Sequence, residues 1–178
     1  LMLLECKLDS NEYKIKANGE YLLFKVISED IFIKGKNSVL ITEDIEMYSD
    51  GEINVNNLNG DFYIKGKNSS LKAEDIYIDG YDIDGIFQNS IDGKEFKVLN
   101  VNDEDIAYLK TEDTDMYANI VKYSKETAII RLENNVKIIR DGETITGDYG
   151  TLNTDNNSYK VKSKDSKKVK VIILEKNE

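Results

Sequence analysis

An apolar period of two, repeated in short bursts along most of the chain, constrains this sequence more than any other feature. Tyr13, Ile15, Ala17; Leu22, Phe24, Val26; Ile31, Ile33; Ile53, Val55; Phe62, Ile64; Ile76, Ile78; Ile130, Leu132; Val136, Ile138; and Val169, Val171, Ile173 all fall on alternate positions. Successive side chains of a strand point to opposite faces, so each burst reads as a strand with one face reserved for a core. Between the bursts sit Asn18-Gly19, Asp50-Gly51, Asn59-Gly60, Asp92-Gly93 and Asp141-Gly142. These residue types tolerate positive φ, which predicts tight hairpins joining successive antiparallel strands. No window of about eleven residues carries a helical i, i+3, i+4, i+7 pattern. The nearest candidate, residues 104–123, is broken by β-branched and turn-prone residues, so no helix is expected there.

An internal echo supports the same picture. Phe32-Ile33-Lys34-Gly35-Lys36-Asn37-Ser38 recurs as Tyr63-Ile64-Lys65-Gly66-Lys67-Asn68-Ser69, and Glu43-Asp44-Ile45 recurs as Glu74-Asp75-Ile76. In each copy a strand ending at the glycine is expected to turn at Lys-Asn-Ser and return, through Val39 to Ile41 or Leu71 to Ala73. Two similar stacked hairpins in an elongated meander would follow. A narrow amino-acid vocabulary can generate such an echo by chance, and two copies do not make a solenoid. Roughly fifteen short strands in 178 residues must bury their apolar faces against one another, giving two long facing sheets, a jelly-roll-like sandwich or groove. If the sheets close, the inward side chains are an ordinary core; if they splay, the same side chains line a slot for apolar ligands.

Composition removes most catalytic classes. The chain has no histidine, one cysteine (Cys6), no tryptophan and no proline. Ser-His-Asp and Cys-His arrangements and His/Cys zinc cages are therefore excluded. A net charge of −10 opposes a global attraction to phosphodiester backbones, so nucleic acid is not expected as a partner. Acidic clusters at Asp103-Glu104-Asp105, Glu112-Asp113 and Asp82 with Asp84 lack the fixed cleft geometry and aromatic sugar platforms of a glycosidase. The run 79–85 fails calcium-loop spacing at Tyr81 or Ile86. Gly142, Gly147 and Gly150 sit between strands with no following helix, so no phosphate loop is present. No enzyme activity and no cofactor are expected.

Charge is uneven. Residues 1–90 carry 9 basic and 17 acidic side chains, whereas residues 91–178 carry 15 and 17. Lys160, Lys162, Lys164, Lys167, Lys168 and Lys170 alternate with Val161, Val169 and Val171, which places ammonium groups on one face of a strand. That face is either a solvated exterior that protects an edge strand or an anion-binding patch. The apolar run 1–4 is too short for a membrane span. Residues 1–12 are read as a leader remnant or first strand, and 13–178 as one domain.

From residue 117 the sequence runs Tyr117, Ala118, through Tyr123, to Asn135-Val136, then Gly147-Asp148 and a Lys-rich ending from Lys168 to Val171. Together with Leu71-Lys72-Ala73-Glu74-Asp75, this order of motifs resembles the OstA/LptA family of periplasmic lipopolysaccharide-transport proteins. The match is densest over residues 117–174; residues 81–112 match no named pattern.

The resemblance implies an all-β, elongated antiparallel jelly-roll, a folded-over sheet that carries lipopolysaccharide acyl chains in its interior without a cofactor. It implies a periplasmic location and partners of the same fold joined by edge-strand addition, with head-to-tail self-association, through open strands at 13–17 and 169–174. An acyl chain of about a dozen methylenes costs about 10 kcal/mol to hold in water at about 0.8 kcal/mol per CH₂, so a carrier needs an unbroken aliphatic trough. The expected lining is Leu22, Phe24, Val26, Ile31, Ile33, Ile41, Ile45, Ile53, Val55, Phe62, Ile64, Ile76, Ile78, Ile130, Leu132, Val136 and Ile138. Two alternatives remain open: the periplasmic part of a membrane-anchored LptC-like relative, and a β-solenoid structural protein whose sealed core binds no lipid.

Overall fold

The computed structural model describes residues 6–10, 14–25, 27–73, 76–90, 93–164 and 168–173. Val26, Tyr13, Glu74, Asp75, Asp92, Lys167 and Leu174, singled out above, lie outside the described residues. The described chain is all β, with no helix. Short strands come first: β1 (Cys6–Ser10), β2 (Ile15–Gly19), β3 (Tyr21–Lys25), β4 (Asp30–Lys34), β5 (Ser38–Ile41), β6 (Ile45–Ser49), β7 (Glu52–Asn56), β8 (Asp61–Lys65), β9 (Ser70–Ala73) and β10 (Ile76–Asp79). Longer strands follow: β11 (Asp82–Ser90), β12 (Gly93–Lys110), β13 (Thr114–Ser124), β14 (Ile129–Arg140) and β15 (Glu143–Asn153), then short β16 (Ser158–Lys162) and β17 (Lys170–Ile173). All seventeen join one antiparallel sheet.

That sheet folds over into two layers. The first runs β1-β2-β5-β6-β9-β10, then through residues 107–110 of β12, 114–117 of β13, 136–140 of β14 and 143–147 of β15 to β17. The second runs β3-β4-β7-β8-β11, then through the other halves of β12, β13, β14 and β15 to β16. Each layer buries one face and exposes the other, as the period of two requires. The burial pattern of β4 and β8, with Ile31, Ile33, Phe62 and Ile64 inward, is typical.

The echoed Gly-Lys-Asn-Ser segments do not form hairpins. β4 pairs with β3 and β7, and β5 pairs with β2 and β6, so residues 35–37 carry the chain from the second layer to the first. The second copy does the same between β8 and β9. Local chemistry is matched in both. Gly35 and Gly66 take φ of 113° and 134°, where a Cβ is disfavoured, and Asn37 and Asn68 follow at 56° and 54°. Ser38 Oγ donates to the Gly35 carbonyl at 2.7 Å, and Ser69 Oγ donates to the Gly66 carbonyl at 2.7 Å. The Asp50 carboxylate ties the two corners together, accepting from Asn37 N–H at 3.0 Å and Asn68 Nδ2 at 2.6 Å. Asp50-Gly51 and Asn18-Gly19 are also corners, whereas Asp141-Gly142 is a two-residue hairpin with φ of 50° and 82°.

In the C-terminal half the strands themselves turn the corner. Register breaks lie between Asn102 and Ala107, Tyr117 and Ile120, and Glu133 and Val136. Asparagine side chains satisfy the backbone there. Asn119 Nδ2 donates to the carbonyls of Asp103, Glu104 and Asp105 at 2.9, 2.9 and 3.1 Å. Asn135 Nδ2 donates to Asn119 Oδ1 at 2.7 Å, and Asn134 and Asn135 hold φ of 63° and 54°. The acidic run 103–105 is thus bulged backbone at a bend. Asn135-Val136 and Gly147-Asp148 fall on these bends, and Ala118–Tyr123 begins on one and continues into the regular ladder of β13.

Candidate functional site

The inner faces of the two layers meet along one apolar interior. Ile31, Ile33, Ile45, Ile53, Val55, Phe62, Ile64, Ile78, Ile130, Leu132, Val136 and Ile138 are buried in it. Leu22, Phe24 and Ile76 pack against it but stay partly exposed. Ile41 stands on the outer face opposite Lys16, and the inward side chain of β5 is its neighbour Leu40. Ile15, Met47, Leu71, Leu99, Leu109 and Met116 also turn inward; of these only Ile15 stands in the alternating bursts, and the expected lining omits all six.

The interior is not uniform. In the N-terminal half, Ile15, Leu40, Ile45 and Met47 of the first layer face Ile31 and Val55 of the second across a slot of about 150 Å³. Its mouth, on the side away from the glycine corners, carries Lys14, Thr42, Glu43, Asp44, Asn57 and Lys94. Lys94 is half-buried there and donates to Asn57 Oδ1. Burial pushes its pKa down, and Asp44 and Glu29 pull in the opposite direction. Lys14 and Glu43 form an ion pair at 2.7 Å on the same rim. Beyond the slot, Phe62, Phe87 and Phe96 pack together at centroid distances of 4.4, 4.9 and 6.1 Å and fill the adjoining interior.

The C-terminal part of the same opening is latched. Tyr159 of the second layer donates to Glu143 Oε2 of the first at 2.9 Å. Arg140 Nη1 reaches the Asn157 carbonyl at 3.0 Å while Nη2 pairs with Asp113 at 2.5 Å. At the latch the interior ends on the outermost described strands: Tyr159 and Val171, directly opposite the buried Leu152 and Ile145, are 37% and 53% exposed. Leu22 and Phe24 end it at the other side on β3. The edge strands are β1 and β3 at one end and β16 and β17 at the other. β2, expected at an edge, is covered by β1, while the expectation at 169–174 coincides with β17. Lys94 and Asn119 carried no sequence signal, because burial is not visible in residue type alone, whereas Asn135 was marked as a motif residue but not as a bend.

A single antiparallel sheet folded over into two layers, with bent strands at one end and glycine corners at the other, defines an LptA-like β-jelly-roll. No family model matches the sequence, and no curated protein matches it. Among solved structures the chain is similar to LptH of Pseudomonas aeruginosa, described as the LptA-homologous periplasmic component of the conserved lipopolysaccharide transport device. The TM-score is 0.56 at 15% identity, over 74% of this chain and 95% of that one. At that identity the likeness is one of fold.

Proposed function

We propose that this chain is a non-enzymatic component of lipopolysaccharide transport in the periplasm, holding acyl chains between its two layers. The observation that carries the reading is the LptA-like folded-over sheet whose apolar interior has an unlatched slot at one side. Inward Ile, Leu, Val and Met side chains offer the aliphatic contact that an acyl chain loses water to gain. Lys94 at the mouth supplies a cation for the phosphate or carboxylate of an amphiphile. An apolar cavity of about 150 Å³ seats a guest of benzene size, so the slot takes a few methylenes and a whole chain requires the layers to part. Like-fold partners would add to the open edges of β1, β3, β16 and β17 through backbone hydrogen bonds.

One observation favours a second reading, a sealed scaffold: apart from the slot, the inward side chains between β8 and β15 are packed against each other. Displacement of a fluorescent fatty acid by lipopolysaccharide separates the two. The carrier reading expects saturable binding to the wild type and its loss in Val55→Phe, which fills the slot at an overpacking cost of about 1–3 kcal/mol. Cooperative thermal unfolding of that variant shows that it still folds. A wild type that binds no probe leaves only the scaffold.

A further inference from the structure

The outer face of the second layer treats its lysines in two ways. In the N-terminal half they sit in an alternating row: Lys34 is opposite Glu52, Glu52 opposite Lys65, and Lys65 opposite Asp82. The ion pairs are made at 2.7 Å for Lys34–Glu52 and 3.7 Å for Lys65–Asp82. Lys25 likewise pairs with Asp30 at 3.7 Å.

Further along the same face the compensation stops. Lys122 on β13 lies directly opposite Arg131 on β14, Arg131 opposite Thr151 on β15, and Thr151 opposite Lys160 on β16. All three cations are exposed, and none makes an ion pair among the described residues. Lys162 extends the set on β16, and Glu133, two residues along β14, is the acid on this stretch of face. Like charges directly opposite one another across a strand pair destabilise a sheet, so the row carries a cost that the N-terminal half of the same face avoids.

We propose that this row is a docking surface for an anionic phospholipid bilayer. Charge complementarity selects the partner class, and shape selects within it. Strands about 4.8 Å apart space the row over about 14 Å of open sheet, so the cations are laid out in a plane rather than gathered around one anion. A planar array of phosphates meets such an array at every position. Tyr149, 39% exposed beside the row, adds an amphipathic ring of the kind that sits at a membrane–water boundary. The net charge of −10 does not cancel the attraction. Glu133, about 7 Å along β14 from Arg131, offsets one of the four charges of Lys122, Arg131, Lys160 and Lys162, whereas Asp84 on β11 lies three strands from Arg131, about 14 Å away, beyond the Debye length of about 8 Å at physiological salt. This inference stands apart from lipid carriage, because the row faces outward and the slot faces inward.

Co-sedimentation of the full chain with vesicles tests it. The wild type is expected to bind phosphatidylglycerol-rich vesicles, to ignore pure phosphatidylcholine, and to release near 1 M salt, where the Debye length is about 3 Å. Each cation near an anionic surface contributes about fivefold, so Lys122→Gln/Arg131→Gln/Lys160→Gln should bind about 100-fold more weakly. Lys25→Gln/Lys34→Gln/Lys65→Gln removes the same charge from the compensated half and should bind within about twofold of the wild type. Equal loss in both triple variants, or no binding to the anionic vesicles, overturns the proposal. So does displacement by millimolar inorganic phosphate, which would indicate a free anion, or a dimer in solution that the first triple variant abolishes, which would indicate a second copy.

Discussion

Met47→Ala provides the most direct test of the slot. Met47 is fully buried on β6, flanked in register by Leu40 and Leu71, and lines the slot itself. Truncating a buried methionine costs about 2–5 kcal/mol, made up of lost transfer energy and the cavity left behind. At about 2–4 °C per kcal/mol for a chain of this size, Tm should fall by about 4–20 °C. The truncation also joins the removed side-chain volume to space that is already open, so the enlarged cavity should accept a medium-chain fatty acid. Ligand at about 100 times its dissociation constant returns about 2.7 kcal/mol, or about 5–11 °C. Differential scanning calorimetry with and without octanoate reads both numbers. Leu109→Ala, equally buried on β12 but remote from the slot, should lose comparable stability and recover none of it. A Met47→Ala loss below about 1 kcal/mol, or octanoate rescue equal in both variants, would refute the reasoning.

Other expectations follow from local chemistry. Asp50 accepts hydrogen bonds from both corners, which hold its pKa below the usual carboxylate range. Its contribution to stability is therefore present above pH about 4 and disappears as pH falls through the lowered folded value, so Asp50→Asn should lower Tm at pH 7 and converge with the wild type in strong acid. For Lys94, whose pKa burial depresses, the folded state resists the charge, and Lys94→Met should raise Tm at neutral pH while weakening binding of an anionic amphiphile in the displacement assay. Asn119→Ala strips the donors from three carbonyls at the β12 bend and should cost about 1–3 kcal/mol in urea unfolding. A Cβ at Gly66 would stand 2.9 Å from the Gly51 backbone at a φ of 134°, so Gly66→Ala should destabilise, and more than Ala in place of exposed Lys67.

Alternation made the strand class and most inward faces legible from sequence, because β-structure leaves its period in the order of side chains. It failed at Ile41, where Val39, Leu40 and Ile41 are all apolar and the alternation offers no phase. It failed again at the Gly-Lys-Asn-Ser segments. Glycine and asparagine at positive φ announce a reversal, yet the same conformation serves a hairpin and a crossing between layers, and only the pairing of β5 with β2 and β6 decides between them. The long strands read as several short ones, because Asn134 and Asn135 look like a loop when they are a bend in β14. The slot was visible only as an apolar face, since a void is a property of packing and not of composition.

The two halves differ in how far along the chain a strand must look for its neighbour. From β11 to β15 each strand pairs with the next one in the chain, whereas β2 waits for β5, β4 for β7 and β6 for β9, about twenty or more residues later. Closing those larger loops costs entropy before any pairing returns it. On loop-closure grounds the C-terminal meander is expected to form first and the N-terminal segment to wind onto it turn by turn. In native-state hydrogen exchange, amides of β13 and β14 should outlast those of β2 and β5.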